Sequence, residues 1–220
     1  MNLLRVETHC HSVQSPDSFN KIEDLIRVAK KRKLNRLVIS DHNRIDGALL
    51  AKELDPDLII VGEEILTTQG ELLAFFVQEI VPSGLSPEKT IDILRDQNAF
   101  ISVSHPFDRL RHGWEQSDLK KIVPLIDAIE VFNARSFTKS VNEKAADFAM
   151  KNNLAGTVGS DAHTLVEVGR AVLMLPEFHD SNSLRQVIGK GERITRYSSP
   201  MVRFGSTYAT LIRKIQKATR

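Results

Sequence analysis

Cysteine is nearly absent from this chain of 220 residues, which contains one, Cys10. A single cysteine excludes a disulfide framework within the chain, and we expect Cys10 to act as a small buried hydrophobic residue. Glycine and proline are also sparse, with 11 and 8 residues, which excludes the collagen-like and disordered classes. The hydrophobic content of 41% is therefore that of an ordinary globular protein with its own core.

Net charge is low as well, because 30 lysine and arginine residues are balanced by 28 aspartate and glutamate residues. A formal charge of +2 argues against a protein that coats nucleic acid, although it does not exclude nucleic acid as a substrate. Long apolar runs are missing too, since no stretch approaches the ~20 residues needed to cross a bilayer. The start of the chain lacks the pattern of a signal peptide, so we expect a cytoplasmic protein without a membrane partner.

Short apolar runs alternate with helical patterns along the chain, and no repeat or long polar linker interrupts them. This alternation is typical of buried parallel strands with crossover helices, and we predict one domain over residues 1–220. Strands are predicted at 3–6, 37–39, 58–61, 72–77, 100–103, 128–132, 155–158 and 171–175. Helices are predicted from a cap at Asn20 to Lys33, from Ser86 onward, and at 140–151, 181–188 and 207–217. The basic segment 193–220 is expected to pack on the rest of the domain.

Side chains suited to metal binding or acid–base chemistry follow most of the predicted strands directly. In a parallel barrel the carboxyl ends of the strands meet at the face where active sites form, so we expect these side chains to lie together. They are His9, His11, Asp17, Asp41, His42, Glu63, Glu64, His105, Asp161 and His163, with Glu71 just before the fourth strand.

Two pairs of these residues have a spacing that suits a shared metal ion. His9 and His11 flank Cys10 at a strand end, and the two-residue period of a strand puts both imidazoles on one side. Asp161 and His163 repeat this spacing. Since the candidate ligands offer nitrogen and oxygen, they favour Zn²⁺, Mn²⁺ or Fe²⁺. The candidates are more numerous than one ion needs, so we predict two or three divalent ions.

Five short motifs, taken in order, resemble those of the polymerase and histidinol phosphatase (PHP) family. The motifs are Glu7-Thr8-His9-Cys10-His11, Ser40-Asp41-His42, Gly62-Glu63-Glu64, Ser104-His105-Pro106 and Gly159-Ser160-Asp161-Ala162-His163. Each motif is short, but five in this order at these spacings are highly specific. The resemblance spans residues 1 to about 200.

The resemblance implies a distorted (β/α)7 TIM-like barrel with a trinuclear metal site at the C-terminal ends of the strands. Matched motif by motif, the implied metal ligands are His9, His11, Asp17, His42, Glu64, Glu71, His105, Asp161 and His163. Glu64 corresponds to a carboxylate that bridges two ions. Glu71 stands where family members usually have a histidine, which bears on the identity and occupancy of one metal. Glu7 is expected to orient a histidine.

The resemblance also implies a phosphoesterase, and the leading hypothesis is hydrolysis of a small phosphomonoester or nucleotide by metal-activated hydroxide. Charge on the phosphoryl oxygens needs further donors, for which the arginine fork is suited. Arg135 and Arg170 are the candidates for a catalytic role, and Arg109, Arg111 and Asn133 for substrate binding. Asp41 either protonates the leaving group or orients a ligand. The segments 78–90 and 106–118 are expected to line the mouth, with Phe107, His112 and Trp114 on a partly apolar rim.

Two alternatives remain open. A nuclease or phosphodiesterase acting on nucleic-acid ends would use the same site, and the arginine-rich stretch 193–220 favours it. A regulatory module that binds metal without turnover is supported only by Glu71 in place of histidine. The sequence indicates no protein partner.

Overall fold

Apolar strands and amphipathic helices alternate along residues 3–202, the part of the chain that the computed structural model describes. The strands in this part are β1 Leu4–Cys10, β2 Arg36–Ile39, β3 Ile59–Leu66, β4 Glu71–Phe75, β5 Phe100–Val103, β6 Ala128–Asn133, β7 Ala155–Gly159, β8 Ala171–Leu175 and β9 Glu192–Thr195. The α-helices are α1 Ile22–Lys31, α2 Asp46–Leu54, α3 Pro87–Asp96, α4 Gln116–Ile122, α5 Lys139–Lys151 and α6 Ser181–Val187. The predicted helix at 207–217 lies outside the described residues, so the single domain over 1–220 stays a prediction.

The strands form one sheet in the order β7-β6-β5-β4-β3-β2-β1-β8-β9, and this sheet curls into a nearly closed barrel. The barrel closes at β1, whose second edge is divided between two partners. Leu4 to Val6 pair with β8, whereas the last part of β1 bonds to the residues after β7. The Asp161 N–H donates to the His9 carbonyl at 2.8 Å, and the His11 N–H donates to the Ala162 carbonyl at 3.0 Å. Closure therefore brings the first and last ligand motifs side by side.

Most strands run parallel, as predicted, but β4 and β8 do not. β4 is antiparallel to both β3 and β5, and β8 is antiparallel to β1 and β9. A short turn joins β3 to β4, and a two-strand hairpin needs no crossover helix. As a result, the amino end of β4 lies at the same edge of the barrel as the carboxyl ends of β1, β2, β3, β5, β6 and β7. The predicted TIM-like barrel is confirmed with this modification.

Alternate residues of β2 show how the sheet divides the core. Val38 belongs to the larger hydrophobic cluster, while Leu37 and Ile39 pack with Leu25 of α1. Cys10 is fully buried in this second cluster, as expected for a small hydrophobic residue. Both faces of the sheet are therefore covered, which fixes the direction of the side chains at the strand ends.

The predicted helix cap at Asn20 is wrong. Helix α1 begins at Ile22 without a side-chain cap, and the Asn20 amide instead donates to the carbonyls of His11 and Ala162 at 3.0 and 3.1 Å. Its side chain thus joins the loop after β1 to the residues after β7, and this use of the amide replaces a cap on α1. At Ser86 the prediction is confirmed, because its hydroxyl accepts from the Lys89 N–H. Among the described residues, no helix is long and apolar enough to cross a membrane.

Candidate metal centre

The end of β1 brings two imidazoles together. The Nε2 atoms of His9 and His11 are 3.0 Å apart. Oε2 of Glu64 lies 3.3 and 3.4 Å from these two nitrogens, and Oδ1 of Asp161 lies 3.7 and 3.3 Å from them. Donor atoms on one tetrahedral ion are roughly 3.4 Å apart. The four atoms therefore converge on a volume that suits one ion.

The backbone around Asp161 is shaped for this convergence. Asp161 itself has φ +52°, a left-handed conformation that is uncommon outside glycine and is retained mainly at functional sites. Two residues earlier, a Cβ atom at Gly159 would clash with His9 and Glu130. Glycine at position 159 thus lets β7 approach β1 closely enough for Asp161 to reach the imidazoles.

A second group surrounds Asp17, in the turn after β1. Its Oδ2 atom lies 2.8 Å from Nε2 of His163 and 3.6 Å from Nε2 of His42. The ring of His11 lies 4.2 Å from that of His163 and 4.6 Å from that of His42, measured between centroids. His11 therefore stands between this group and the first one.

The antiparallel strand β4 completes a third group. Leu73 pairs with Glu64 across the β3–β4 hairpin, and Glu71 points to the same face as Leu73. Nδ1 of His42 lies 3.1 Å from Glu64 and 3.9 Å from Glu71. Nε2 of His105 lies 3.1 and 3.5 Å from the same two carboxylates. Glu64 thus contacts histidines of every group, and all nine predicted ligand residues lie in one continuous cluster.

The donor atoms of this cluster fit metal ions. Within the described residues, Oε2 of Glu64 and Nδ1 of His105 are buried without a hydrogen-bond partner, which is costly unless another group satisfies them. Three overlapping sets of donor atoms lie within 4.8 Å of one another: His11, His42 and His163; His9, His11 and Asp161; and His42, Glu64 and Glu71. Nitrogen and oxygen donors suit borderline divalent ions, so the residues present fit metal binding.

Neighbouring charges oppose the effect of burial at His9 and add to it at His11 and Glu71. Burial alone would lower the pKa of His9, but the neighbouring carboxylates, Glu64 first, raise it well above its ordinary value. Burial and the nearby His163 lower the pKa of His11 to about 3. Burial and the charge of Glu64 raise the pKa of Glu71 to about 7. Metal ions compete with protons for such ligands, so binding is expected to strengthen as pH rises toward neutrality.

Glu130 is a functional residue that sequence reasoning missed. From β6 its Oε1 atom bonds to Nδ1 of His9 at 3.0 Å, and its Oε2 atom accepts from the His105 N–H at 2.9 Å and from Asn133 at 3.0 Å. A carboxylate on the far nitrogen fixes the imidazole tautomer, so that Nε2 faces the cluster. The sequence does contain a signal for Glu130, because it is the one acidic residue in the otherwise apolar predicted strand 128–132.

Glu130→Gln is expected to weaken metal binding roughly 10- to 100-fold, the usual effect of removing the partner of a metal-binding histidine. The amide keeps the volume but loses the charge that supports the N–H of His9. Chelator competition with Mn²⁺ measures the dissociation constant. Asp127→Asn is the control, because Asp127 bonds Arg95 and Arg185 at the start of the same strand and should affect stability only. Equal affinities in wild type and Glu130→Gln would contradict the assignment.

Asp41 and Glu7 support the loops of the cluster. Asp41 accepts from the backbone and hydroxyl of Ser12 at 2.6 and 2.5 Å and does not line the cavity over the cluster. This geometry favours its orienting role over proton transfer. Glu7 accepts from the N–H groups of Ser160 and Gly169, both at 2.8 Å. It therefore fixes the backbone before Asp161, and its expected role in orienting a histidine stays a prediction.

Two arginines reach the cluster. Arg111 forms an ion pair with Asp161, and its Nε atom donates to Asp108 at 3.0 Å. Arg135 is buried against His163 and bonds Glu167 at 3.3 Å. The predicted residue Asn133 joins them, since its side chain lies 3.3 Å from Arg111 and 3.1 Å from Asp161.

The other two predicted arginines lie elsewhere. Arg109 is exposed and pairs with Glu115 at 2.9 Å. Arg170 bonds the carbonyls of Val166 and Tyr197 at 3.4 and 3.3 Å. Neither lines the cavity over the cluster, because each is held by partners on the outer surface. The structure therefore gives no support to their predicted roles.

A cavity of about 510 Å³ opens over the cluster, a size typical of small-molecule sites. Several of the predicted ligands, with Arg111 and Arg135, line its floor. Its rim is formed by Asn43, Leu66, Leu110, His112 and Phe137. His112 is therefore on the rim as expected. Phe107 and Trp114 are not, because they line a neighbouring cavity beside α5.

Glu63 points away from the cluster, since it alternates with Glu64 on β3. Its Oε2 atom accepts from the Val81 N–H at 3.1 Å, and its Oε1 atom is buried without a partner among the described residues. Burial raises the pKa of Glu63 to about 7. The ionised carboxyl of Glu63 therefore destabilises the folded protein, and Glu63 is not part of the candidate site.

Glu63→Gln is expected to raise the free energy of unfolding by about 1–3 kcal/mol at pH 8 and by less at pH 5. The unfolded chain ionises near the ordinary value of 4.5 and the folded chain near 7, so folded wild type binds the proton more tightly. Its stability falls as pH rises through that window, and the neutral amide escapes this loss. Urea unfolding at both pH values measures the difference. A variant less stable than wild type at pH 8 would contradict the argument.

Comparison with known proteins gives relatives over most of the chain. Residues 139–192 match the model of a family described as PHP-associated. One uncharacterised protein of Methanocaldococcus jannaschii is 31% identical over 163 residues, covering 67% of this chain and 92% of the relative. A second is 32% identical over 180 residues, covering 80% and 72%. A protein of Caldicellulosiruptor saccharolyticus with the name "Probable phosphatase" is 23% identical, covering 76% and 83%.

Solved structures share the fold. PsfC from Pseudomonas syringae aligns with a TM-score of 0.71 at 19% identity, covering 96% of this chain and all of PsfC, 100%. A candidate metal-dependent phosphoesterase from Bifidobacterium adolescentis aligns at 0.61 and 17%, covering 85% and 96%. The lesion-specific endonuclease EndoQ from Pyrococcus furiosus aligns at 0.61 and 14%, covering 87% of this chain and 57% of the enzyme. Likeness at these identities establishes the barrel fold.

Proposed function

The chain belongs to the polymerase and histidinol phosphatase (PHP) family of metal-dependent phosphoesterases, and we propose that its own substrate is a small phosphate monoester. One observation carries the proposal. Nine histidine and carboxylate side chains converge under a cavity of about 510 Å³ that also holds two guanidinium groups. A cavity of this size accommodates a small molecule.

The proposed metal ligands are those that meet in the three groups. His9, His11, Glu64 and Asp161 would hold one ion, and Glu64 with Glu71 and His105 a second. Asp17, His42 and His163 would hold a third. When bound, divalent ions supply Lewis acidity, which lowers the pKa of water and neutralises charge on a phosphoryl group.

The protein's own donors would then orient the phosphoryl group. A guanidinium has five N–H donors in a planar fork, so Arg111 retains donors beyond those used by Asp108, Asp161 and Asn133. Arg135 lies against His163 and is held by Glu167. Donors fixed in advance by carboxylates stabilise developing charge without reorganisation.

The charge of the cavity favours a monoester over a nucleic-acid strand. Among the described residues that line it, Arg111 and Arg135 are the cations besides histidine, and carboxylates hold both. Single-stranded nucleic acid needs a groove of cations along several phosphates. The arginine-rich stretch 193–220, which favours a nuclease, lies mostly beyond the described residues.

Metal analysis paired with a substrate panel tests the proposal. Protein loaded with Mn²⁺, Zn²⁺ or Fe²⁺ is expected to hold two or three ions and to hydrolyse phenyl phosphate, but not diphenyl phosphate or an oligonucleotide. Trimming of oligonucleotide ends that weakens steeply with salt would identify the nuclease instead. A full metal complement without any hydrolysis would identify a regulatory module. Less than one ion per chain would overturn the ligand assignment.

A further inference from the structure

Two large hydrophobic side chains are exposed at the mouth of the cavity. Leu110 is 76% exposed and Phe137 is 54% exposed, and Leu66 lies half-buried beside them. Single exposed hydrophobic residues are common on protein surfaces. These three, however, line the same cavity as the metal ligands, where a bound molecule would cover them.

The cavity has a polar floor and a partly apolar rim. Leu66 ends β3, Leu110 follows β5, and Phe137 follows β6. The same segments carry Glu64, Arg111 and Arg135, which are less exposed than Leu110 and Phe137 and line the floor. A phosphate monoester has the same division, because its dianion prefers cations and its leaving group can be apolar.

Each of the two exposed residues, Leu110 and Phe137, lies within two residues of an arginine of the floor. Leu110 directly precedes Arg111, in a turn fixed by Asp108, which accepts from the N–H groups of Leu110 and Arg111 at 3.3 and 2.9 Å. In the same turn, a Cβ atom at Gly113 would lie 2.7 Å from the Asp108 backbone. The turn therefore presents the guanidinium inward and leaves the leucine on the rim.

The second turn repeats this arrangement. Phe137 follows Arg135 by two residues, and Asn133 fixes the turn by accepting from the N–H groups of Arg135 and Ser136 at 2.9 and 3.2 Å. Each arginine proposed to bind the phosphoryl group thus has an exposed apolar side chain within two residues of it in the sequence.

We infer that the site selects phosphate monoesters with an apolar, aromatic leaving group, which Leu110 and Phe137 recognise. The inference rests on the proposed function. A polar leaving group such as a polyol would leave both side chains in contact with water and gain nothing from them. An aromatic ring removes their apolar surface from water, and that burial stabilises binding in proportion to area.

The test compares 2-phenylethyl phosphate with ethyl phosphate. Both esters release a primary alcohol, so their intrinsic reactivities are matched and the ring is the difference. The wild-type kcat/KM is expected to favour 2-phenylethyl phosphate by roughly 30-fold or more, a discrimination within the range of hydrophobic pockets. Leu110→Ser and Phe137→Ser should each lower this preference about tenfold, with the loss falling on the aromatic ester. Met150→Ser, which changes an exposed residue of α5, is the control and should keep the preference.

Metal content of each variant shows that the cluster stays intact. Equal kcat/KM for the two esters in wild type would overturn the inference while hydrolysis itself upholds the proposed function. A loss in the two serine variants that is the same for both esters would also overturn it. If metal-loaded wild type hydrolyses neither ester nor phenyl phosphate, the proposed function fails and the inference fails with it.

Discussion

Glu64→Gln is expected to slow hydrolysis of a phosphate monoester at least about a thousandfold, which corresponds to the several kcal/mol of charge stabilisation that metal ions supply. Glu64 faces His9, His11, His42 and His105 within 3.4 Å. An amide offers one oxygen in place of two and carries no charge, so it cannot hold two ions. We expect the metal content to fall together with activity.

The neighbouring Glu63→Gln variant is a matched control for this experiment. Glu63 and Glu64 are consecutive, both are fully or almost fully buried, and both change from carboxylate to amide. They differ in the face of β3 from which they project, because only Glu64 faces the histidines. Glu63→Gln should therefore keep its metal ions and its activity. Equal metal content in Glu64→Gln and wild type, or equal loss in both variants, would contradict the bridging role.

The positions of the proposed metal ligands could be predicted because they depend on local rules. A strand has a two-residue period, so His9 and His11 had to share a side, and the carboxyl ends of parallel strands had to meet. Those two rules place most of the cluster without any knowledge of the loops. Glu71 needed a further fact, the antiparallel direction of β4, which a short apolar run does not reveal.

The contacts of the loop arginines were harder to predict than the positions at the strand ends. Arg109, Arg111 and Arg170 look alike in the sequence, yet Glu115 holds the first on the surface, Asp161 holds the second in the site, and backbone carbonyls hold the third. These partners lie far apart along the chain or in irregular turns. Helix α2 was missed because Leu49, Leu50 and Leu54 are exposed, which obscures the amphipathic pattern.

Arg111→Ala is expected to lower kcat/KM roughly 100- to 1000-fold, the usual cost of removing one fixed donor to developing charge. The guanidinium is held by Asp108, Asp161 and Asn133, so its orientation is set before a substrate binds. Arg111→Lys keeps the charge but loses the planar fork and should recover only part of the activity. Steady-state kinetics on phenyl phosphate measure both variants, and Arg109→Ala is the control that should remain near wild type.

If Arg111 instead only supports Asp161, which is also a proposed metal ligand, a different result is expected. Asp161 divides its oxygens, with Oδ1 facing His9 and His11 and Oδ2 receiving Arg111 and Asn133. Losing the guanidinium should therefore leave the metal content unchanged while weakening inhibition by inorganic phosphate about tenfold or more. If metal content fell in proportion to activity, Arg111 would be a support for Asp161 rather than a donor to phosphate. Phosphate inhibition distinguishes the two roles because it depends on the contact with the phosphoryl oxygens even when no bond is broken.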